Sequence, residues 1–151
     1  SKDLSIPGER IGYVAVSPRA SDRGTLLAGM ALANRILGFV NAPAFMQRVV
    51  ASLQGVTVDP AAYQAKRDLL CDGLSRAGYE FVKPRGAFYL FPRTPTSDDV
   101  AFVKALQEEL ILTVPGRGFG TPGYIRIAYC VDDATIEKAL PGFARVMERF
   151  A

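Results

Sequence analysis

The chain has 151 residues, 49% of them hydrophobic, which is enough for one ordinary core or for one small domain with an appendage. Its formal net charge of +3 comes from 18 basic and 15 acidic residues that are interspersed without a Lys/Arg run. A solvated surface with no nucleic-acid footprint is therefore expected. Histidine is absent, which excludes Ser-His-Asp and Cys-His nucleophile systems and, with Cys71 and Cys130 the two cysteines, leaves no plausible zinc or other metal ligand set.

The two cysteines show no disulfide-framework spacing, so a reducing cytoplasm is the expected compartment and each thiol reads as a buried small apolar residue. The longest apolar run, Thr25 to Ala33, is too short to span a bilayer. No signal-peptide pattern precedes it, and no membrane partner is expected.

In chain order, Ile11 to Val16 reads as a short apolar strand. Asp22 is placed to cap a helix carrying Leu26, Leu27, Met30, Ala33 and Leu37 on one side, with Gly38 to end it. Pro43 suits the first turn of a second helix, where Phe45, Met46, Val49, Val50 and Leu53 recur until Gly55. Asp59-Pro60 is a cap-plus-proline start for a third, through Tyr63, Leu70, Leu74 and Ala77 to Gly78.

The pattern then changes to short strands, Phe81 to Lys83 and Ala87 to Phe91, around the turn Pro84-Arg85-Gly86. Ser97, Asp98 and Asp99 open a helix through Val100, Val103, Leu106 and Leu110, with the acids at its positive end. Leu110 to Val114 and Tyr124 to Val131 are strand-like, separated by the Gly-rich segment Pro115 to Gly123. A last helix starts near Asp132 and carries Ile136, Leu140, Phe143, Met147 and Phe150, with Pro141 expected to kink or restart it.

From residue 56 onward this order gives an α+β sandwich, a sheet covered by helices. The strand at 11–16 has no partner strand near it and reads as part of some other sheet, so a domain boundary is placed near Gly55.

The segment Ser1 to Tyr13 carries a lysine and an arginine eight residues apart, Lys2 and Arg10. By spacing alone this is a surface loop feeding a strand. The full pattern is more specific. It resembles the lysine signature of the class I and II aminotransferases, pyridoxal-phosphate enzymes of fold type I. Ser1, Lys2, Ser5, Ile6, Gly8, Arg10, Ile11 and Gly12 fill each fixed position of that signature within the chain.

The resemblance implies that Lys2 is the Schiff-base lysine and later the general base, and that Arg10 holds the cofactor phosphate. Both residue types suit those roles. An amine of lowered pKa condenses with an aldehyde, and a planar guanidinium grips phosphate bidentately. Gly8 and Gly12 would let the backbone pass close to the cofactor. The family's phosphate-binding serine falls three positions before the lysine, so Ser1 does not inherit that role.

A second resemblance covers the far half. Gly86-Ala87-Phe88-Tyr89-Leu90-Phe91 is similar to the family's small-domain strand motif. Pro115-Gly116-Arg117-Gly118-Phe119-Gly120 followed by Tyr124-Ile125-Arg126-Ile127-Ala128 is similar to its substrate-carboxylate segment. Arg126 matches the arginine that binds the amino acid's α-carboxylate; local sequence alone would make it a salt-bridged strand arginine. Arg117 and Phe119 suit either the border of a substrate mouth or an ordinary loop. Gly116, Gly118 and Gly120 do not have dinucleotide-fingerprint spacing, and they lead into a strand rather than a helix.

The resemblance implies an aspartate aminotransferase-like homodimer that transfers an amino group between an amino acid and a 2-oxo acid. In such enzymes, sequence upstream of the lysine supplies most of the cofactor site. Residues 1–55 are then expected to be a remnant of the large cofactor-binding domain and residues 56–151 the small C-terminal domain, with the chain alone inactive. A carbon–sulfur lyase of the same fold, or a non-enzymatic assembly module, is the alternative.

Overall fold

A computed structural model describes residues 2–150. The chain divides after Val58 into two compact units. In the first, a 3-10 turn over Pro7–Glu9 is followed by helix α1, Arg23–Ile36, and helix α2, Ala44–Ser52. Asp22 precedes α1 as expected, but with φ 53° and without a side-chain cap bond. Pro43 sits at the N-cap position of α2, one residue before the first turn.

Residues 11–16 form no strand. A strand exists by hydrogen bonding to a neighbour, and this segment has none among the described residues; Tyr13 is 89% exposed. The apolar side of α1 is bare as well, with Leu26, Leu27, Met30 and Leu37 all exposed and no buried residue in the helix. Met46 on α2 is the buried hydrophobic residue of this unit.

The second unit has its own core. Helix α3, Pro60–Arg76, starts where Asp59 accepts the Ala61 N–H at 2.9 Å and stops before Gly78, whose φ of +85° ends the helical path. Strand β1, Tyr89–Leu90, precedes helix α4, Asp99–Glu108, capped by Asp98 accepting from Ala101 N–H. Strands β2, Val114–Pro115, and β3, Ile125–Ala128, lead to helix α5, Asp133–Phe150. Helix α5 runs through Pro141 as a single element, so the restart allowed from sequence does not occur.

The three strands form an antiparallel sheet in the order β1-β3-β2, with Leu90 opposite Ile127 and Val114 opposite Arg126. Strands are shorter than the apolar runs suggested. Phe81 to Lys83 is irregular, and of Leu110 to Val114 only the last residue pairs. Leu110 and Leu112 stand 92% and 82% exposed because that run meets no partner strand among the described residues.

Leu90, Ile125 and Ile127 point from one sheet face into a cluster with Leu70 and Leu74 of α3, Phe102 and Leu106 of α4, and Phe143 and Val146 of α5. Each such side chain contributes about 1.5–3 kcal/mol of burial. Helices α3 and α5 pack close enough that a Cβ at Gly73 would overlap Leu140. Tyr79 joins the cluster with its hydroxyl donating to Phe143 O at 3.0 Å, and burial pushes that phenol up from its ordinary pKa. Of the two cysteines, Cys71 is buried as expected, whereas Cys130, just past the end of β3, is exposed.

Because side chains alternate along a strand, the face opposite the core receives Tyr89 of β1 and Arg126 and Ala128 of β3.

Candidate substrate-carboxylate site

Arg126 is half-buried at the centre of the sheet's outer face. Its guanidinium carbon lies 4.7 Å from the centroid of the Tyr89 ring and 4.3 Å from that of Phe119. Both contacts are cation–π in character, and they hold a long side chain that otherwise has many rotamers. No acidic residue among the described residues forms an ion pair with Arg126. The salt-bridged strand arginine that local sequence favoured is therefore not what the fold builds. A planar guanidinium fork of this kind can bind a carboxylate or phosphate bidentately.

Each ring is delivered by a separate anchor. On the Tyr89 side, the Tyr129 hydroxyl donates to Ala87 O at 3.0 Å and the Tyr129 N–H to Phe88 O, also at 3.0 Å. These bonds hold Ala87 at φ 58°, a conformation an L-residue rarely adopts. On the Phe119 side, the chain turns through a short 3-10 segment, Gly116–Phe119. Gly116 N donates to Tyr124 O at 2.7 Å and Thr121 N donates to Gly116 O at 3.0 Å. There is no room for a side chain at Gly116: a Cβ would lie 2.2 Å from Thr121 O.

Asp99, the first residue of α4, is fully buried and accepts from Arg117 twice, from the backbone N–H at 2.8 Å and from Nε at 2.6 Å, with Nη2 in ion-pair contact at 2.6 Å and donating to Asp98 at 3.4 Å. Burial works against its charge, but the Arg117 N–H groups and guanidinium outweigh it and hold the carboxyl below the usual carboxylate range. In the sequence Asp99 marks a helix start, and Arg117 suits either a substrate mouth or a loop. Their pairing has no local signal, since the partners lie 18 positions apart.

Lys2 and Arg10 belong to the first unit, Arg126 to the second. Lys2 is exposed. The residue after it is tied down: Asp3 O accepts from Val58 N at 3.0 Å and from Thr57 Oγ1 at 3.3 Å. Arg10 is exposed, adopts φ 50°, and uses one Nη1 donor on Pro7 O at 3.0 Å. A Cβ at Gly8 or Gly12 would meet nothing within 4 Å, so no protein atom of this chain requires glycine there.

The family profile described as "Aminotransferase class I and II" matches residues 1–143. The chain belongs to the class I and II aminotransferases. It is 35% identical to a probable aspartate aminotransferase of Methanocaldococcus jannaschii, covering 98% of this chain and 41% of that protein. It is 30% identical to an LL-diaminopimelate aminotransferase of Nitratidesulfovibrio vulgaris, covering 97% of this chain and 38% of that one. Among solved structures, an amino transferase from Eubacterium rectale superposes over 99% of this chain and 37% of its own, with a TM-score of 0.86 and 44% identity. The chain thus spans about two fifths of the length of these aminotransferases. The second unit is the α+β small domain of a fold-type I enzyme. No helix among the described residues is long and apolar enough to cross a membrane.

Proposed function

We propose that this chain is the C-terminal part of a pyridoxal-phosphate-dependent aminotransferase that moves an amino group between an amino acid and a 2-oxo acid. The observation that carries the reading is Arg126. It is a half-buried guanidinium set over two aromatic rings with no acid paired to it, at the position the family resemblance assigns to the substrate α-carboxylate. Its planar fork matches the carboxylate common to both substrates.

The donor set of the first unit fits the cofactor. Lys2, an exposed residue, is of the type that bonds covalently to the aldehyde, and Arg10 keeps guanidinium N–H groups beyond the one used on Pro7 O for the phosphate. Bound there, pyridoxal phosphate supplies an electron sink for the substrate α-carbon. Lys2 is the residue assigned to move the proton at that carbon, and Arg126 the residue assigned to bind the substrate α-carboxylate. Residues 1–55 are read as part of the large cofactor-binding domain and residues 56–151 as the small domain. The bare apolar side of α1 and the family resemblance support further packing, in a homodimer. Two free thiols fit a cytoplasmic setting. Since the chain spans two fifths of its relatives, it is read as inactive by itself.

The test uses the full-length protein. Lys2→Ala should abolish the visible absorbance of covalently held cofactor. Arg126→Ala should lower kcat/KM at least about 30-fold for amino donor and oxo-acid acceptor together, the low end of the about 2–5 kcal/mol expected when one side of a charge pair is removed. Near-native values for both substrates would make Arg126 structural.

A further inference from the structure

We propose that Arg117 and Asp99 are positioning residues for the carboxylate site, locking the 116–120 turn so that Phe119 stays against Arg126. The inference rests on the reading of Arg126 given above and extends it to residues that touch neither substrate nor cofactor.

Phe119 is 46% exposed. With nearly half of the residue's surface in water, burial alone does not fix where it sits. Its ring contacts are an edge-on pairing with Phe91 at 5.7 Å and the Arg126 guanidinium at 4.3 Å. Both belong to the face it serves. Its position must therefore come from the backbone that carries it, and that backbone is a five-residue turn with three glycines, Gly116, Gly118 and Gly120. Glycine-rich chain is flexible unless something ties it.

Two backbone bonds, Gly116 N to Tyr124 O and Thr121 N to Gly116 O, close the turn, and Asp99 ties it to α4. It takes hold of residue 117 by backbone and side chain at once, which fixes the position and the orientation of that peptide relative to α4. Gly120 N donates to Arg117 O at 3.1 Å, so the far end of the turn is referred to the same residue. Helix α4 is itself sunk in the core through Phe102 and Leu106. A rigid reference thus extends from the core through Asp99 and Arg117 to Phe119, and from Phe119 to the guanidinium. The alternative, that the pair only stabilises the fold, predicts loss of active protein without a change in substrate affinity.

The experiment measures KM and kcat, normalised to bound cofactor, in the full-length protein. L-aspartate, L-alanine and L-phenylalanine serve as donors and 2-oxoglutarate as acceptor. Arg117→Met should raise KM for donor and acceptor roughly 3- to 10-fold, with kcat changed less than about two-fold, because a loosened cation–π partner weakens the site without touching the reacting atoms. Arg117→Lys should recover part of the loss, since it restores charge but not the fork.

On an Arg126→Lys background, Arg117→Met should change KM less than about two-fold, because its effect is transmitted through Arg126. If Arg117→Met does not accumulate, Asp99→Asn/Arg117→Met, which leaves no unpaired buried charge, is read in its place. An unchanged KM in these variants, with KM raised in Arg126→Lys, overturns the positioning role and leaves the carboxylate reading standing. An unchanged KM in Arg126→Lys, or no turnover with any donor, overturns both.

Discussion

Replacing Gly116 with alanine tests the turn that carries Phe119. Gly116 is buried, and an added Cβ would lie 2.2 Å from Thr121 O and 2.7 Å from Tyr124 O, both backbone atoms that no rotamer change can move. To reach an ordinary contact of 3.4 Å the turn must open by about 1 Å. The two hydrogen bonds that close it, Gly116 N to Tyr124 O and Thr121 N to Gly116 O, cannot survive that displacement. Each is worth about 0.5–1.5 kcal/mol, and partners left unsatisfied in a buried turn add to the loss, so the expected cost is about 2–4 kcal/mol.

Gly118, two residues on, is the control: a Cβ there meets nothing within 4 Å, and its φ is not positive. Alanine at 118 should be neutral or stabilising by up to about 1 kcal/mol through the unfolded state. Urea unfolding of the full-length protein, with parent and both variants compared at equal m, gives the two differences. The reasoning fails if Gly116→Ala stays within about 0.5 kcal/mol of the parent, or if Gly118→Ala costs as much.

Two further outcomes follow from the core and the thiols. Tyr79→Phe removes the hydroxyl donated to Phe143 O but keeps the edge-on ring contacts with Phe102 and Phe143, so it should cost about 1 kcal/mol, against about 3–5 kcal/mol for Tyr79→Ala. Equal losses in urea unfolding would show that the packing account is wrong. Cys130 is exposed, whereas Cys71 is 3% exposed and burial pushes its thiol up, so Cys130→Ser should remove one fast-reacting thiol from an Ellman titration of the native protein and Cys71→Ser none. The reverse pattern would contradict the burial described for both residues.

Features that depend on neighbours along the chain are legible without the fold. Asp59-Pro60 and Asp98 mark helix starts because a carboxylate two or three residues ahead reaches an otherwise unpaired N–H, and Gly78 marks a stop because it tolerates the left-handed turn. The lysine and carboxylate motifs are local strings as well, and they carry the resemblance to the aminotransferases.

Tertiary structure decided what depends on residues distant in sequence. Ile11 to Val16 is apolar enough for a strand but unpaired in this chain, because strand structure is a property of two segments and not of one. Cys130 is as apolar as Cys71, yet position past the end of β3 exposes it. The surroundings of Arg126 are likewise set in three dimensions. Its ring partners come 37 residues before it and 7 before it, a separation no periodicity encodes. The buried Asp99 that secures one of those rings sits on another helix, and charge complementarity across such a gap becomes visible only once the core has set where α4 begins.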